Sequence, residues 1–227
     1  MEIKPISRFH SPFTSKFGIP KQAGLVSELE GTIVFEPEYR NRDALRGIEE
    51  FDYLWLVWEF SANRHAAKSP VVRPPVLGGN EKVGVWATRS PFRPNNLGLS
   101  SVRLSHVEWE GSLCPVVHVQ GADLMDGTPI FDIKPYIVYA DCHPEARSGF
   151  VDYRKWKKLE VEISDDAAFF LCERGIAGSQ LAVLKEVLSQ DPRPHYQNNP
   201  EKVYGMPYEG VDVHFRVSDG KLAVLPV

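Results

Sequence analysis

The apolar positions of this chain follow two different rhythms. Through the first two thirds they come in short runs rich in branched and aromatic residues: residues 31–35 (GTIVF), 53–60 (YLWLVWEF), 83–88 (VGVWAT), 99–107 (LSSVRLSHV), 115–119 (PVVHV) and 133–139 (IKPYIVY). Side chains of this kind fit a pleated, half-buried surface, so each run predicts a strand. Turn chemistry separates them at residues 78–80 (GGN), 94–96 (PNN) and 125–129 (MDGTP), and residues 41–51 predict one short helix. Further on, Leu181, Leu184, Val187 and Leu188 recur at helical spacing within residues 179–190, and Asp191-Pro192 stops them. Val211, Val213, Phe215 and Val217 then alternate with polar residues, and residues 218–221 (SDGK) turn the chain into 222–225, which predicts a terminal hairpin. The expected architecture is mainly β: a barrel or sandwich over residues 1–150, followed by a small α+β unit over residues 151–227.

Composition sharpens that division. The 227 residues include 18 prolines, which recur up to Pro144 and are then absent until Pro192. Proline removes a backbone donor and clashes with the preceding helical turn, so uninterrupted helix is expected only inside that gap. Lys and Arg total 26 against 30 Asp and Glu, giving a net charge of −4, which excludes a protein that coats nucleic acid nonspecifically but permits a local basic patch. Cys114, Cys142 and Cys172 are odd in number and widely spaced, so neither a disulfide framework nor a zinc site is expected. The N-terminal residues lack the apolar run of a signal peptide, and no segment approaches the roughly 18 apolar residues of a membrane span. A cytoplasmic protein with no metal and no membrane partner is the expectation.

Polar chemistry concentrates in a few segments. Residues 87–100 (ATRSPFRPNNLGLS) follow a predicted strand, and Arg89 and Arg93 present guanidinium forks suited to a carboxylate or phosphate; a surface loop whose arginines pair with nearby acids is the alternative. Residues 123–136 (DLMDGTPIFDIKPY) place acids around a turn, where a carboxylate can face a cation or accept a proton, or where Asp126 simply bonds its own backbone. Two mixtures of aromatic and cationic residues, 153–158 (YRKWKK) and 191–196 (DPRPHY), suit stacking on bases and contacts to phosphates, or else solvated charge. No GxGxxG, GxxxxGK[ST] or GxSxG motif is present, and the histidines are scattered without metal-ligand spacing.

Residues 84–104 (GVWATRSPFRPNNLGLSSVRL) closely resemble the signature of the TrmO or TsaA-like family of S-adenosylmethionine-dependent tRNA methyltransferases. Residues 11–13 (SPF), 16–25 (KFGIPKQAGL), 45–49 (LRGIE), 73–80 (RPPVLGGN), 123–136 and 191–196 extend the likeness over nearly the whole chain. The resemblance implies a non-Rossmann β-barrel methyltransferase domain, a small C-terminal domain engaged in tRNA recognition, and a homodimer. It implies methyl transfer to N6 of threonylcarbamoyladenosine at position 37, in the anticodon loop of threonine tRNA. Carried onto this sequence, the cofactor pocket takes in the backbone of Ala23, Gly24 and Leu25, then Ser61, Ala62, Arg89 and Leu99, and Asp123, Leu124, Met125 and Asp126. Arg89 is then expected to hold an anionic group and Asp126 to act as catalytic base, while Arg93, Lys155, Lys157, Lys158 and Arg193 meet phosphates and Trp156 or Tyr196 stacks on an unpaired base. Asn96-Leu97 stands where the family has Pro-Ile, and residues 60–63 (FSAN) replace a segment that often contains histidine. A noncatalytic S-adenosylmethionine or nucleotide sensor, and a methyltransferase acting on another RNA or a small molecule, remain the alternatives.

Overall fold

The computed structural model describes residues 2–63, 69–153, 157–194 and 199–226. In chain order the elements are β1 (Ser7–His10), β2 (Glu30–Phe35), β3 (Tyr53–Glu59), β4 (Val71–Val72), β5 (Val83–Gly84), β6 (Leu97–Glu108), β7 (Val116–Gln120), β8 (Thr128–Pro135), α1 (Val138–Asp141), β9 (Glu160–Ile163), α2 (Asp165–Cys172), α3 (Ser179–Ser189), β10 (Val203–Tyr208), β11 (Val211–Ser218) and β12 (Lys221–Leu225). Six strands close into an antiparallel barrel in the order β1-β2-β7-β6-β3-β8, which leaves no unpaired edge. The predicted barrel is therefore present, and its inward positions alternate as the sequence pattern requires: Leu54, Leu56 and Trp58 on β3, Gly98, Ser100 and Val102 on β6.

Three predicted elements differ. Residues 83–88 pair as a strand only at Val83–Gly84 and then wind into a 3-10 turn, Val85–Ala87, because Val85 alone faces the interior and the Thr88 hydroxyl donates to the Val85 carbonyl at 2.9 Å. Residues 41–51 form two 3-10 turns rather than a helix, divided at Gly47, whose φ of 83° no ordinary helix accommodates. The strand predicted over residues 133–139 instead begins at Thr128, directly after Gly127 turns the chain in the left-handed region, and ends at Pro135, so Val138 and Tyr139 belong to the short helix α1.

The second layer is a four-stranded sheet, β10-β11-β12-β9, backed by α2 and α3. Ser164 caps α2 by accepting from the Ala167 N–H, and Asp165 and Asp166 complement the helix dipole in its first turn. Val211, Val213, Phe215 and Val217 of β11 supply the buried stripe that their alternation predicts. Into this core comes a segment from the other end of the chain. Residues 11–29, the long connection between β1 and β2, bury Phe13, Val26 and Leu29 against β10 to β12 and α3. Phe13 meets Tyr208 edge to face at 5.5 Å between centroids, and Phe17 stacks on Phe215 at 6.3 Å. Gly18 has room only because it lacks a Cβ, which would lie 2.3 Å from the Met206 sulfur. This strap ties the barrel to the C-terminal sheet.

Candidate functional site

Register decides where the loops meet. Glu59 pairs with Leu97, Glu30 with Gln120, Phe9 with Thr128 and His10 with Thr32, so the end of β3, the start of β6, the β7–β8 turn and both ends of the strap crowd one end of the barrel. A cavity of about 550 Å³ opens there. Lys21 and Gln22 come from the strap, Ser61 and Ala62 from the loop after β3, Arg89 from the loop before β6, and Asp123 from the turn after β7.

At the base of the cavity is a relay of hydrogen bonds. Trp58 lies across the barrel mouth and donates its indole N–H to the Ser100 hydroxyl at 3.0 Å; Ser100 in turn donates to the Asp123 carboxylate at 2.5 Å. Burial pushes the Asp123 carboxyl above the usual carboxylate range, and the Ser100 hydroxyl, the backbone N–H groups of Asp123 and Ala23, and the charge of Arg89 pull it part of the way back. A half-buried acid held in that state is a ready partner for a cation. Arg89, also on the cavity wall, donates to the Gln22 side-chain oxygen at 2.7 Å, a neutral partner that leaves its charge without a direct ion pair. Lys21 stands beside it with its ammonium desolvated, which lowers its pKa to about 8 despite the opposing charge of Asp191. Ile19, Phe60, Leu97 and Leu99 supply apolar wall.

The loops that frame the cavity are braced. Arg93 donates to the carbonyls of Thr88 and Ser90 at 3.1 and 3.0 Å, fastening its own loop rather than reaching outward. The two departures from the family pattern touch each other: the Asn96 side chain donates to the Asn63 carbonyl at 3.4 Å, the Phe60 N–H donates to the Asn96 carbonyl at 2.8 Å, and the Asn63 amide holds the Pro91 carbonyl at 3.1 Å.

Of the residues assigned to the cofactor by resemblance, Ser61, Ala62, Arg89, Leu99, Asp123 and Met125 come together around the cavity. Ala23 reaches it through its N–H on Asp123, whereas the Gly24 N–H is taken by the Gly121 carbonyl at 2.8 Å. Leu25 lies on a neighbouring groove, and Leu124 is buried in the barrel core. Asp126 accepts from the Ser11 N–H at 3.2 Å and pairs with His10 at 3.1 Å, which fixes the start of the strap; it does not line the cavity. Among the cations expected to meet phosphates, Arg193 is largely buried and gripped twice by Asp191, at 2.8 and 3.0 Å, and Lys158 is 3.4 Å from Glu186, while Lys157 is exposed. Lys155, Trp156 and Tyr196 lie outside the described residues. Sequence reasoning missed Lys21, Gln22, Trp58 and Ser100; the signal for Ser100 was a polar residue at an inward register between Gly98 and Val102.

Comparison with known proteins places the chain in a family. Residues 8–142 match the family model for the tRNA-methyltransferase O N-terminal domain, and residues 156–227 match that for the TrmO C-terminal domain. A protein of Escherichia coli K12 named tRNA (adenine(37)-N6)-methyltransferase is 35% identical over 226 residues, spanning 98% of this chain and 96% of its own. A protein of the same name from Eikenella corrodens is 41% identical over 170 residues, 75% of this chain and 93% of its own. The crystal structure of TrmO from Pseudomonas aeruginosa superposes with a TM-score of 0.81 at 32% identity, covering 99% of this chain and 96% of that one.

Proposed function

The chain belongs to the TrmO family of tRNA methyltransferases, and we propose that it uses S-adenosylmethionine to methylate N6 of threonylcarbamoyladenosine at position 37 of threonine tRNA. The observation that carries this reading is the presence, around one cavity, of a half-buried acid and a guanidinium whose hydrogen-bond partner is neutral: Asp123 on its Ser100 relay, Arg89 on Gln22. S-adenosylmethionine, when bound, supplies an electrophilic methyl group on a sulfonium. Its charges match what the residues offer, with Asp123 facing the cationic centres, Arg89 holding the carboxylate by a forked hydrogen bond, and Leu97, Leu99 and Phe60 covering the adenine.

The acceptor nitrogen belongs to a urea-like group with a delocalised lone pair, so its reactivity depends on orientation and on loss of its proton. The braced loops provide the first, since Arg93, Asn63 and Asn96 fix the cavity rim before any substrate arrives. A general base would add about 10²- to 10⁴-fold. Of the acids between Asp123 and Asp126, Asp123 lines the cavity and Asp126 holds the strap. Lys21 adds a cation on the substrate side whose charge fades above about pH 8. The sign is that of a base weakened by burial: a bound anion is attracted below that value and progressively less above it. The catalytic efficiency toward tRNA is therefore expected to decline from pH 8 upward, and Lys21→Arg, with its permanently charged head, to hold its level across the same range.

The decisive assay incubates the protein with labelled S-adenosylmethionine and threonine tRNA with or without the threonylcarbamoyl group, then analyses the nucleosides. Label confined to the modified nucleoside supports the proposal; label in unmodified adenosine or another RNA assigns a different acceptor, and binding without transfer assigns a sensor. Arg89→Ala is expected to weaken S-adenosylmethionine binding by about 10- to 100-fold, the scale of a charge-assisted hydrogen bond, as read by calorimetry. A homodimer and a cytoplasmic setting belong to the same reading, and sedimentation tests the first. Among the described residues, no helix is long and apolar enough to cross a membrane, and no group of three His, Cys, Asp or Glu is placed to hold a metal.

A further inference from the structure

Beside the cavity runs a larger groove of about 1660 Å³, and the two share Lys21, Gln22, Thr88, Arg89 and Pro91 along one edge. Its charged lining carries one sign. Lys21, Arg73, Lys82, Arg89 and Arg147 line it, and among the described residues no Asp or Glu does, in a chain whose net charge is −4. Several cations elsewhere sit on acids, as Arg8 does on Glu36, Lys134 on Asp132 and Lys221 on Glu160 and Glu162. Arg73, Lys82 and Arg147 make no ion pair with any described residue.

The groove also displays two flat aromatic rings. Trp86 is 73% exposed and Phe92 is 50% exposed, an arrangement that keeps a large apolar area in water. Trp86 is nevertheless held firmly. Its neighbour Val85 is buried, donates its N–H to the Pro70 carbonyl at 2.9 Å and accepts from the Thr88 hydroxyl. On one side the Arg93 guanidinium lies 5.8 Å from the ring centroid, itself pinned to two carbonyls, and the rest of the ring is open. Exposed rings beside cations that pair with no described acid are the chemistry that holds splayed-out bases and their phosphates.

Resting on the tRNA methyltransferase reading above, we propose that this groove is the RNA-binding surface of the enzyme. Unpaired anticodon-loop bases next to the target stack on Trp86 and Phe92, their phosphates lie on Arg73, Lys82 and Arg147, and the extruded adenosine passes over the Lys21–Arg89 edge into the cavity. A base whose N6 must be reached inside a walled site has to leave its stack, and the groove supplies replacement stacking where it leaves. An acidic peptide would engage the cations without needing the two rings, and an apolar segment would need the rings and oppose the cations.

The test measures binding of the full-length protein to a synthetic threonine tRNA anticodon stem–loop across a salt series. The combined variant Arg73→Glu, Lys82→Glu, Arg147→Glu is expected to lose at least tenfold in affinity near 0.1 M salt and about 2 in the slope of log affinity against log salt, roughly 0.7 for each phosphate of single-stranded RNA left without its cation. The double variant Trp86→Ala, Phe92→Ala is expected to lose about tenfold with its slope unchanged, and Trp86→Phe to recover most of it. S-adenosylmethionine affinity and melting temperature stay at the wild-type level in all of them. Unchanged RNA affinity and slope would overturn the proposal, as would a loss that appears only with dissociation of an oligomer in sedimentation, which would assign the groove to a second copy of the chain. Methyl transfer that persists in the variants removes the groove and leaves the methyltransferase; groove-dependent RNA binding without transfer by the wild type does the reverse.

Discussion

Replacing Gly98 with alanine is expected to weaken S-adenosylmethionine binding more than tenfold and to lower the melting temperature by several degrees. The added methyl would lie 2.3 Å from Trp58 Cε2 and 2.5 Å from Cζ2. Those atoms belong to a rigid ring directly opposite Gly98 in the β3–β6 register, buried, and packed edge to face on Phe60 at 4.3 Å between centroids. No small rotation relieves such an overlap, so the indole has to leave its place and surrender its hydrogen bond to Ser100. Overpacking of this kind costs about 1–3 kcal/mol, and each kilocalorie lowers the melting temperature of a chain this size by about 2–4 °C. Cofactor binding suffers further because Trp58 and Gly98 both line the cavity and Ser100 sets the Asp123 carboxylate. A Gly98→Ala protein with unchanged melting and unchanged affinity would show that the ring does not occupy this position.

Asp123→Asn separates binding from folding. The amide keeps an oxygen for the Ser100 hydroxyl while removing the charge, so S-adenosylmethionine affinity is expected to fall about 10- to 100-fold, the range of hydrogen bonds to charged groups. Stability at neutral pH should hold or rise, because burial disfavours the ionised carboxylate that the substitution removes. The pH dependence follows from the same shift. With the folded-state pKa raised above the unfolded one, folding takes up a proton in the interval between them, and the contribution of Asp123 to stability declines as pH rises through that interval. Cofactor affinity moves the other way, growing as the carboxylate ionises, and the asparagine variant should lack both trends. Calorimetric binding and thermal unfolding across pH measure the pair, and wild-type cofactor affinity in Asp123→Asn would remove this acid from the site.

Much of the architecture was legible because its periodicities are local. Val211 to Val217 alternate without interruption, and Leu181 to Leu188 repeat at helical spacing, so β11 and α3 lie where the pattern puts them. Residues 83–88 misled because a run of β-favouring residues says nothing of Pro70, whose carbonyl takes the Val85 N–H and helps turn the chain. The site was legible as a set of segments and not as a set of roles. Asp123 and Asp126 share one turn, and only the paths of β1 and β6 determine that the first meets Ser100 while the second meets Ser11. The place of Lys21 on the cavity wall was invisible in the sequence, since it is set by a loop that carries no periodic pattern. Arg193, by contrast, carried its own warning: Asp191 stands two residues earlier, close enough to close a local fork on the guanidinium before any ligand arrives.

The strap of residues 11–29 has a consequence for how the enzyme comes into being. Its Lys21 and Gln22 wall the cavity, but its anchors, Phe13, Val26 and Leu29, are buried by strands near the other end of the chain. As the nascent chain leaves the ribosome, the six barrel strands are complete once Pro135 has emerged, whereas the packing that seats the strap waits for Tyr208, Phe215 and Val224. The full walls of the site thus depend on strands that are translated after the barrel is complete.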